Sequence, residues 1–280
     1  MIIEIFCCLS AGSVITLHLL NSDLSKWYTY LFALFGGFGA YALALLISFV
    51  VYYLLALPIK VGSEFKRPSK FYRFLYKEGV DYICNHSLIF CRFKGKDLLP
   101  RGKRFVLVCN HRSNFDPILI SKKLMKYDVA FISKDANFKI PMVNRIITAL
   151  CYMAVDRNNP LQSLSIFKRA SNYVTSDSCS VGVFPEGKRY VGEGLEIFHE
   201  GFFNVAIKNN VPLVVCTVKG TENIAHNFPF KRSKVKIEVI RIYEPEEISN
   251  VPAKALSDEV RELMLRNLTE DKINEQRRSK

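Results

Sequence analysis

The stretch RFVLVCNHRSNFDP, residues 104–117, decides how the middle of this chain folds. Its first six residues form an apolar run typical of a buried strand, and a helical pattern starts near Asp116. His111 therefore precedes Asp116 by five residues, at the point where a strand gives way to a helix. A carboxylate within reach of one imidazole nitrogen fixes the tautomer and leaves the other nitrogen as a general base. A structural alternative is that Asp116 caps the helix and Pro117 takes its first position.

A second motif, FPEGKR at residues 184–189, follows another apolar run. Glu186 and Gly187 predict a turn, and the cations Lys188 and Arg189 come directly after it. Ligands of α/β proteins gather at the carboxyl ends of the strands, so both motifs are expected at one cleft. A base with an orienting acid, beside an anion-binding turn, is typical of a transferase that acts on a phosphorylated alcohol.

Short apolar runs alternate with helical patterns from residue 88 onward. This alternation predicts an α/β domain, a mixed sheet with helices on both faces. Strands are expected at residues 88–94, 104–109, 128–132, 152–155, 180–184, 213–218 and 234–242. Helices are expected at residues 116–126, 142–150, 161–175, 201–208 and 253–274. The last strand alternates apolar and charged side chains, as an edge strand or a half-exposed strand does.

A membrane-spanning segment precedes this domain. No charged residue occurs between Lys26 and Lys60, and residues 28–57 are almost wholly apolar. About 20 such residues suffice to cross a bilayer. Five cations follow the segment within residues 60–73, whereas only Lys26 comes before it. The positive-inside rule therefore predicts an integral membrane protein whose large domain faces the cytoplasm.

The first twenty residues are a plausible second span, although Glu4 would be costly within a membrane. One span and two spans both stay open. A small-residue face for a second helix is offered by Gly36, Gly37, Gly39 and Ala40. Residues 62–90 combine aromatic rings with cations, which predicts a helix that lies in the bilayer interface, packs on the domain core, or does both with different faces.

The chain thus divides into transmembrane segment or segments (1–60), an amphipathic interfacial region (61–87), a catalytic domain (88–274) and a solvated tail (275–280). The net charge of +13 indicates a basic surface. Beside a membrane anchor its expected partner is an anionic phospholipid bilayer rather than nucleic acid, because the cations do not interleave with a recognition motif. The eight cysteines include no Cys-x-x-Cys pair, so free thiols and no metal site are expected.

The two motifs together resemble the glycerolipid acyltransferase family, specifically its lysophosphatidate (1-acylglycerol-3-phosphate) acyltransferases. The resemblance is carried by Asn110-His111-x4-Asp116 and by Phe184-Pro185-Glu186-Gly187-x-Arg189. Two weaker blocks agree: Lys134, Phe138, Ile140 and Pro141 with Val155-Asp156-Arg157, and Val211-Pro212-Leu213-Val214. The similarity covers residues 88–242, with the blocks in the family's order and spacing.

The resemblance implies an enzyme that moves a fatty acyl chain from acyl-carrier protein or coenzyme A to the free sn-2 hydroxyl of 1-acylglycerol 3-phosphate, giving phosphatidate. It implies neither a metal nor a bound cofactor. In that picture His111 deprotonates the hydroxyl and Asp116 orients His111. The positions implied for the lysophospholipid acceptor are Lys134, Glu186, Gly187 and Arg189: the cations hold the phosphate, and the Glu-Gly turn shapes the site.

Two departures leave the acceptor open. Lys188 and Tyr190 stand where the family usually has threonine and serine. Glycerol 3-phosphate or another lysolipid is therefore an alternative acceptor. A non-catalytic lipid-surface module is a further alternative, which the intact His111–Asp116 pair disfavours. The Phe202-Phe203 pair is expected in the core rather than in an acyl tunnel.

Overall fold

The computed structural model describes residues 1–155 and 160–278. Its strands are β1 (Ile89–Lys94), β2 (Val106–Cys109), β3 (Ala130–Lys134), β4 (Met153–Val155), β5 (Val181–Val183), β6 (Leu213–Lys219) and β7 (Ser233–Tyr243). Its helices are α1 (Ile2–Leu20), α2 (Trp27–Ala56), α3 (Lys70–His86), α4 (Phe115–Lys123), α5 (Val143–Ala149), α6 (Pro160–Thr175), α7 (Phe203–Asn209), α8 (Ile224–Asn227), α9 (Pro245–Ile248) and α10 (Ala253–Arg278). Short 3-10 turns lie at Lys96–Leu98, Met125–Tyr127, Asp135–Lys139, Glu200–Phe202 and Thr221–Asn223.

The seven strands form one mixed sheet in the order β1-β7-β6-β2-β5-β3-β4. Neighbouring strands run parallel except β6 and β7, which are antiparallel. Every residue of β2 is buried, as is most of β6. Strands buried on both faces require helices on both faces, and the continuous Val and Leu runs of β2 and β6 suit that position. The predicted mixed α/β sheet is confirmed.

All seven predicted strands are present, with ends shifted by one or two residues. β7 alternates buried and more exposed residues, so it is half-exposed, and it pairs with strands on both sides rather than forming an edge. The core contains the fully buried Phe105, Phe131 and Phe203, together with the buried Phe202. The Phe202-Phe203 pair is thus a core element, as expected.

The two N-terminal helices α1 and α2 are each long and apolar enough to cross a membrane. They pack against each other as a hairpin, so the second candidate span is present. The small-residue face differs from the prediction. The buried alanines and glycines of α2 are Ala33, Gly37, Ala44 and Ala56, whereas Gly39 is exposed and a Cβ added there would meet no atom within 4 Å.

Helix α3 connects this hairpin to the sheet. Leu75, Val80 and Cys84 are buried, while Phe71 and Phe74 remain about half exposed on another face. This helix is shorter at both ends than the predicted region of residues 62–90: it begins at Lys70, where the Ser69 side chain caps it, and β1 already begins at Ile89. At the other end of the chain, α10 continues to Arg278, four residues past the predicted end at residue 274, so most of the predicted tail is helical.

Candidate active site

Three neighbouring parallel strands bring the predicted site residues to one edge of the sheet. β5 pairs in parallel with β2 on one side and with β3 on the other, so the carboxyl ends of these strands share an edge. His111 follows β2, Glu186 follows β5, and Lys134 is the last residue of β3. We call this the catalytic edge. The positions of the two motifs after neighbouring strands explain why residues far apart in sequence meet here.

The histidine and the carboxylate form the predicted pair. The Nδ1 atom of His111 lies 2.8 Å from Oδ2 of Asp116, and Asp116 is fully buried. A carboxylate partner places the proton on Nδ1, which leaves Nε2 as the basic nitrogen. Within the described residues Nε2 makes no hydrogen bond, and the His111 side chain keeps 15% of its surface exposed. The ring can therefore meet a substrate from the cleft.

The carboxylate of Asp116 also organises the loop before its own helix. Its Oδ2 accepts hydrogen bonds from the backbone N–H groups of Arg112 (2.6 Å) and Ser113 (2.7 Å). The predicted helix cap is wrong: α4 begins at Phe115 with Asn114 as its N-cap, and Asp116 is already its second residue. The Asp116 carboxylate instead faces the preceding loop, where His111 and the two backbone N–H donors lie.

An aromatic stack supports the histidine ring. Phe184 lies parallel to His111 with 4.3 Å between the ring centroids, and Phe131 lies on Phe184 with 5.4 Å between theirs. The glycine at position 182 makes room for this stack, because a Cβ there would lie 2.5 Å from the Phe131 ring. The stack and the bond to Asp116 together restrict the orientation of the imidazole.

Glu186 acts as a buried brace between the two motifs. Its Oε1 accepts the backbone N–H of His111 (2.7 Å), and its Oε2 accepts that of Glu196 (3.2 Å). Burial raises the pKa of Glu186, while these hydrogen bonds and the nearby Arg112 and His111 oppose the rise. The carboxylate thus ties the second motif to the backbone of the histidine.

The Glu-Gly turn closes tightly over this brace. Gly187 has a φ of +67°, and its N–H donates to the carbonyl of Phe184 (3.0 Å). A Cβ at this position would meet the His199 ring at 2.9 Å. Glycine is therefore required both by the left-handed backbone and by the approach of His199. His199 and His226 are exposed.

The cations near the turn differ in their partners. Lys188 forms an ion pair with Glu196 at 2.8 Å. Arg189 and Lys134 are exposed and form no hydrogen bond or ion pair in the described part of the chain. Lys134 ends β3, next to β5, so both free cations belong to the catalytic edge.

Sequence reasoning missed two residues that shape the site. The guanidinium of Arg112 donates to the carbonyls of Tyr190 (3.2 Å), Gly192 (2.8 Å) and Gly194 (3.2 Å). Asn110 is buried, and its side chain pairs with both the N–H and the carbonyl of Val218 on β6. A polar residue directly after a buried strand was the available signal for Asn110. Nothing local signals the partners of Arg112, which lie about eighty residues away.

Within residues 1–155 and 160–278, no group of three or more His, Cys, Asp and Glu side chains lies together in a way that could hold a metal ion. Asp156 and Arg157 of the second sequence block fall outside the described residues. The arrangement is a hydrogen-bonded histidine and carboxylate at the carboxyl edge of a mixed sheet, an edge that also carries the exposed cations Lys134 and Arg189.

Known acyltransferases are similar to this chain in sequence. A family model described as Acyltransferase matches residues 91–219, which include both motifs. A 1-acyl-sn-glycerol-3-phosphate acyltransferase of Salmonella typhimurium is 27% identical over 172 residues, covering 61% of this chain and 67% of its own length. The protein of that name from Escherichia coli K12 is 26% identical over 172 residues, with the same coverage of both chains.

A solved structure shares the fold. The chain resembles the crystal structure of the 1-acyl-sn-glycerophosphate acyltransferase PlsC from Thermotoga maritima with a TM-score of 0.59 and 24% identity. The match covers 71% of this chain and 79% of that one. The mixed sheet and its flanking helices are thus those of a known architecture.

Proposed function

We propose that the chain is a glycerolipid acyltransferase that transfers a fatty acyl chain to the sn-2 hydroxyl of 1-acylglycerol 3-phosphate, giving phosphatidate. The acyl donor is a thioester, acyl-coenzyme A or acyl-carrier protein. The observation that carries this proposal is the His111–Asp116 pair, with Nε2 open at the catalytic edge. The names of the relatives and the two free cations at that edge support the choice of acceptor.

The proposed reaction is a direct acyl transfer. Nε2 of His111 takes the proton of the acceptor hydroxyl as its oxygen attacks the thioester carbonyl carbon. An ester C–O bond forms and the C–S bond breaks. The proton on His111 then goes to the departing thiolate. Asp116 keeps Nδ1 protonated and stabilises the positive charge that the ring carries between the two proton transfers.

The acceptor phosphate is assigned to Arg189 and Lys134. The planar guanidinium of Arg189 matches phosphate oxygens with two parallel hydrogen bonds, and Lys134 adds a second positive charge. The Glu186 side chain and the Gly187 backbone stabilise the turn that precedes Arg189. Lys188, held by Glu196, stands outside this phosphate site.

The proposed location is a membrane, with α1 and α2 as the anchor. A membrane-bound site suits an acceptor and a product that are both lipids. The cations at positions 60, 66, 67, 70 and 73, directly after the hairpin, support a cytoplasmic catalytic domain by the positive-inside rule.

The test is a radiolabelled acyl-transfer assay on the purified full chain in detergent. It offers lysophosphatidate, glycerol 3-phosphate and lysolipids without a terminal phosphate, each with acyl-coenzyme A and acyl-carrier protein. We expect conversion of lysophosphatidate, lowered roughly 10²–10⁴-fold in H111A because the general base is lost. H226A, which removes an exposed histidine outside both motifs, should retain full turnover.

Each other outcome changes a stated part of the proposal. Equal turnover by H111A and the parent would remove His111 as the base. Preference for a different acceptor would keep the chemistry and move the substrate, with Lys188 and Tyr190 as the first residues to exchange. No turnover on any pair would favour the non-catalytic lipid-surface module.

A further inference from the structure

The catalytic edge also holds the amino ends of two strands. β7 runs antiparallel to β6, and β1 runs parallel to β7. The amino ends of β1 and β7 therefore lie beside the carboxyl ends of β6 and β2. Whatever precedes Ile89 and Ser233 in the chain is at the same edge as His111.

The apolar hairpin leaves the domain at this edge. His86, in the last turn of α3 just before β1, bonds through Nε2 to Tyr41 Oη of α2 (3.0 Å) and lies 3.7 Å from Glu4 of α1. Near the other end of α3, Tyr72 donates to the carbonyl of Leu55 (3.0 Å), so α2 runs back along α3 towards the catalytic edge. Beyond Tyr41, α2 continues to Trp27, roughly 20 Å further at 1.5 Å per residue.

An exposed segment of aromatic and basic residues lies at the same edge. We call residues 228–234, sequence FPFKRSK, the aromatic-basic loop. Phe230 is 91% exposed and Phe228 is 55% exposed. Lys231, Arg232 and Lys234 are exposed as well, and the segment contains no acidic residue.

Hydrogen bonds hold the aromatic-basic loop against the start of β1. The Ser233 N–H donates to the carbonyl of Leu88 (3.0 Å), and the Arg232 guanidinium lies over the ring of Phe90 (5.5 Å). Asn227 braces the loop from inside, donating through Nδ2 to the carbonyl of Arg232 (3.3 Å) and to Oγ of Ser233 (3.0 Å). The two exposed phenylalanines are therefore part of a hydrogen-bonded turn.

Three further exposed apolar side chains lie in segments that leave the same edge, whereas Phe71 and Phe74 are exposed near the start of α3. Ile140 comes after β3, and Val191 and Ile197 come after β5, so all three belong to segments that leave the catalytic edge. Leu98, which follows the carboxyl end of β1, is exposed at the opposite edge. Exposed rings next to cations are typical of a surface that enters the lipid interface, where the rings meet acyl chains and the cations meet lipid phosphates.

We propose that the aromatic-basic loop is a second membrane contact, which seats Phe228 and Phe230 in the surface of the anionic bilayer that holds α1 and α2. Lys231, Arg232 and Lys234 then lie at the level of the lipid phosphates. The inference rests on the membrane attachment proposed above. It places the catalytic edge against the bilayer, where a lipid acceptor reaches His111 without leaving the interface.

The experiment measures lipid contact by fluorescence, independently of acyl transfer. The full chain carries one tryptophan, so a W27F background is dark, and F230W and L98W each add a single probe. Both variants are placed in nanodiscs of phosphatidylcholine and phosphatidylglycerol, with or without bromine on the upper acyl carbons. We expect F230W to emit at shorter wavelength and to lose emission to the brominated lipid, while L98W at the opposite edge keeps its emission.

Failure of this proposal can be distinguished from failure of the proposed function. Flotation of the W27F chain with vesicles checks attachment itself, so failed attachment is distinguished from an absent second contact. Adding K231E, R232E and K234E to F230W should reduce the loss of emission, because the charges that seat the loop are reversed. An equal fractional loss of emission from F230W and L98W in brominated nanodiscs would overturn the proposal. So would an F230W probe that responds to added acidic acyl-carrier protein and not to lipid.

Discussion

Asp116 shows why the pair needs a carboxylate and not merely a polar side chain. One oxygen, Oδ2, accepts hydrogen bonds from the His111 ring and from the N–H groups of Arg112 and Ser113. Three donors converge on it at a position without solvent, where the negative charge strengthens each bond. An asparagine oxygen would offer the same shape with a weaker acceptor. The residue that orients the base therefore also fixes the loop that carries it.

Burial of Glu186 makes the stability of the folded chain depend on pH. Burial raises its pKa above the ordinary value near 4.5, so the folded chain binds this proton more tightly than the unfolded chain. The resulting stabilisation is complete below the ordinary value and is lost as the pH rises through the raised pKa. The thermal midpoint of the parent minus that of E186Q should therefore fall as the pH is raised above about 4.5.

Differential scanning fluorimetry of both proteins in detergent, at closely spaced pH values, checks this. E200Q serves as the control for the loss of one exposed carboxyl group. A difference between parent and E186Q that stays constant over the range, or grows with pH, would contradict a raised pKa at Glu186.

Contacts within one short motif can be predicted from the sequence, whereas contacts to distant backbone atoms cannot. His111 and Asp116 were found because both partners lie in one short motif, and local spacing is visible in the sequence. Arg112 lies in the same motif, yet its carbonyl partners follow another strand. Asn110 bonds to Val218, 108 residues away. Side chains that bind backbone carbonyls impose no residue type on their partners, so no pattern in the sequence reports them.

The sequence predicted the positions of the strands more accurately than the contact faces of the helices. Apolar runs of β-branched residues leave little choice in a sheet that is buried on both sides. The contact face of α2 was harder to predict because nearly every residue of the helix is apolar, so no periodicity separates the lipid side from the α1 side. Glu4 argued against a second span, but it lies at the end of α1 beside His86, where the hairpin meets α3.

The α1–α2 contact gives a prediction at this scale. A Cβ on Gly37 would lie 2.6 Å from two carbon atoms of Ile15, whereas a Cβ on Gly39 would meet no atom within 4 Å. G37V should therefore push the helices apart and cost about 1–3 kcal/mol, as overpacking does in a close contact. G39V, two residues along the same helix, should leave the hairpin unchanged.

Thermal midpoints of the parent, G37V and G39V in detergent separate these cases. Cysteine pairs placed across α1 and α2 would give a second reading, since cross-linking yield should fall in G37V alone. Equal midpoints and equal cross-linking in the two variants would show that Gly37 does not set the distance between the helices.

For the whole molecule, the fold and the charge distribution predict which side of a membrane the N-terminus and the catalytic domain occupy. Both ends of the hairpin lie on the side of the sheet, because the Ile2 N–H donates to Glu78 of α3 (2.5 Å) and α2 leads into α3. The hairpin tip at residues 21–26 carries one acid and one base, whereas five cations lie within residues 60–73. This asymmetry predicts that the N-terminus and the catalytic domain face the cytoplasm together.

Sealed membrane vesicles of both orientations test this arrangement directly. In inside-out vesicles that carry the full chain with an N-terminal epitope tag, added protease should digest the catalytic domain and remove the tag. In right-side-out vesicles both should be protected until detergent is added. Digestion of the domain from the outer face would reverse the orientation, and opposite fates for tag and domain would contradict the hairpin, because α1 and α3 meet through Glu78 only if they lie on one side.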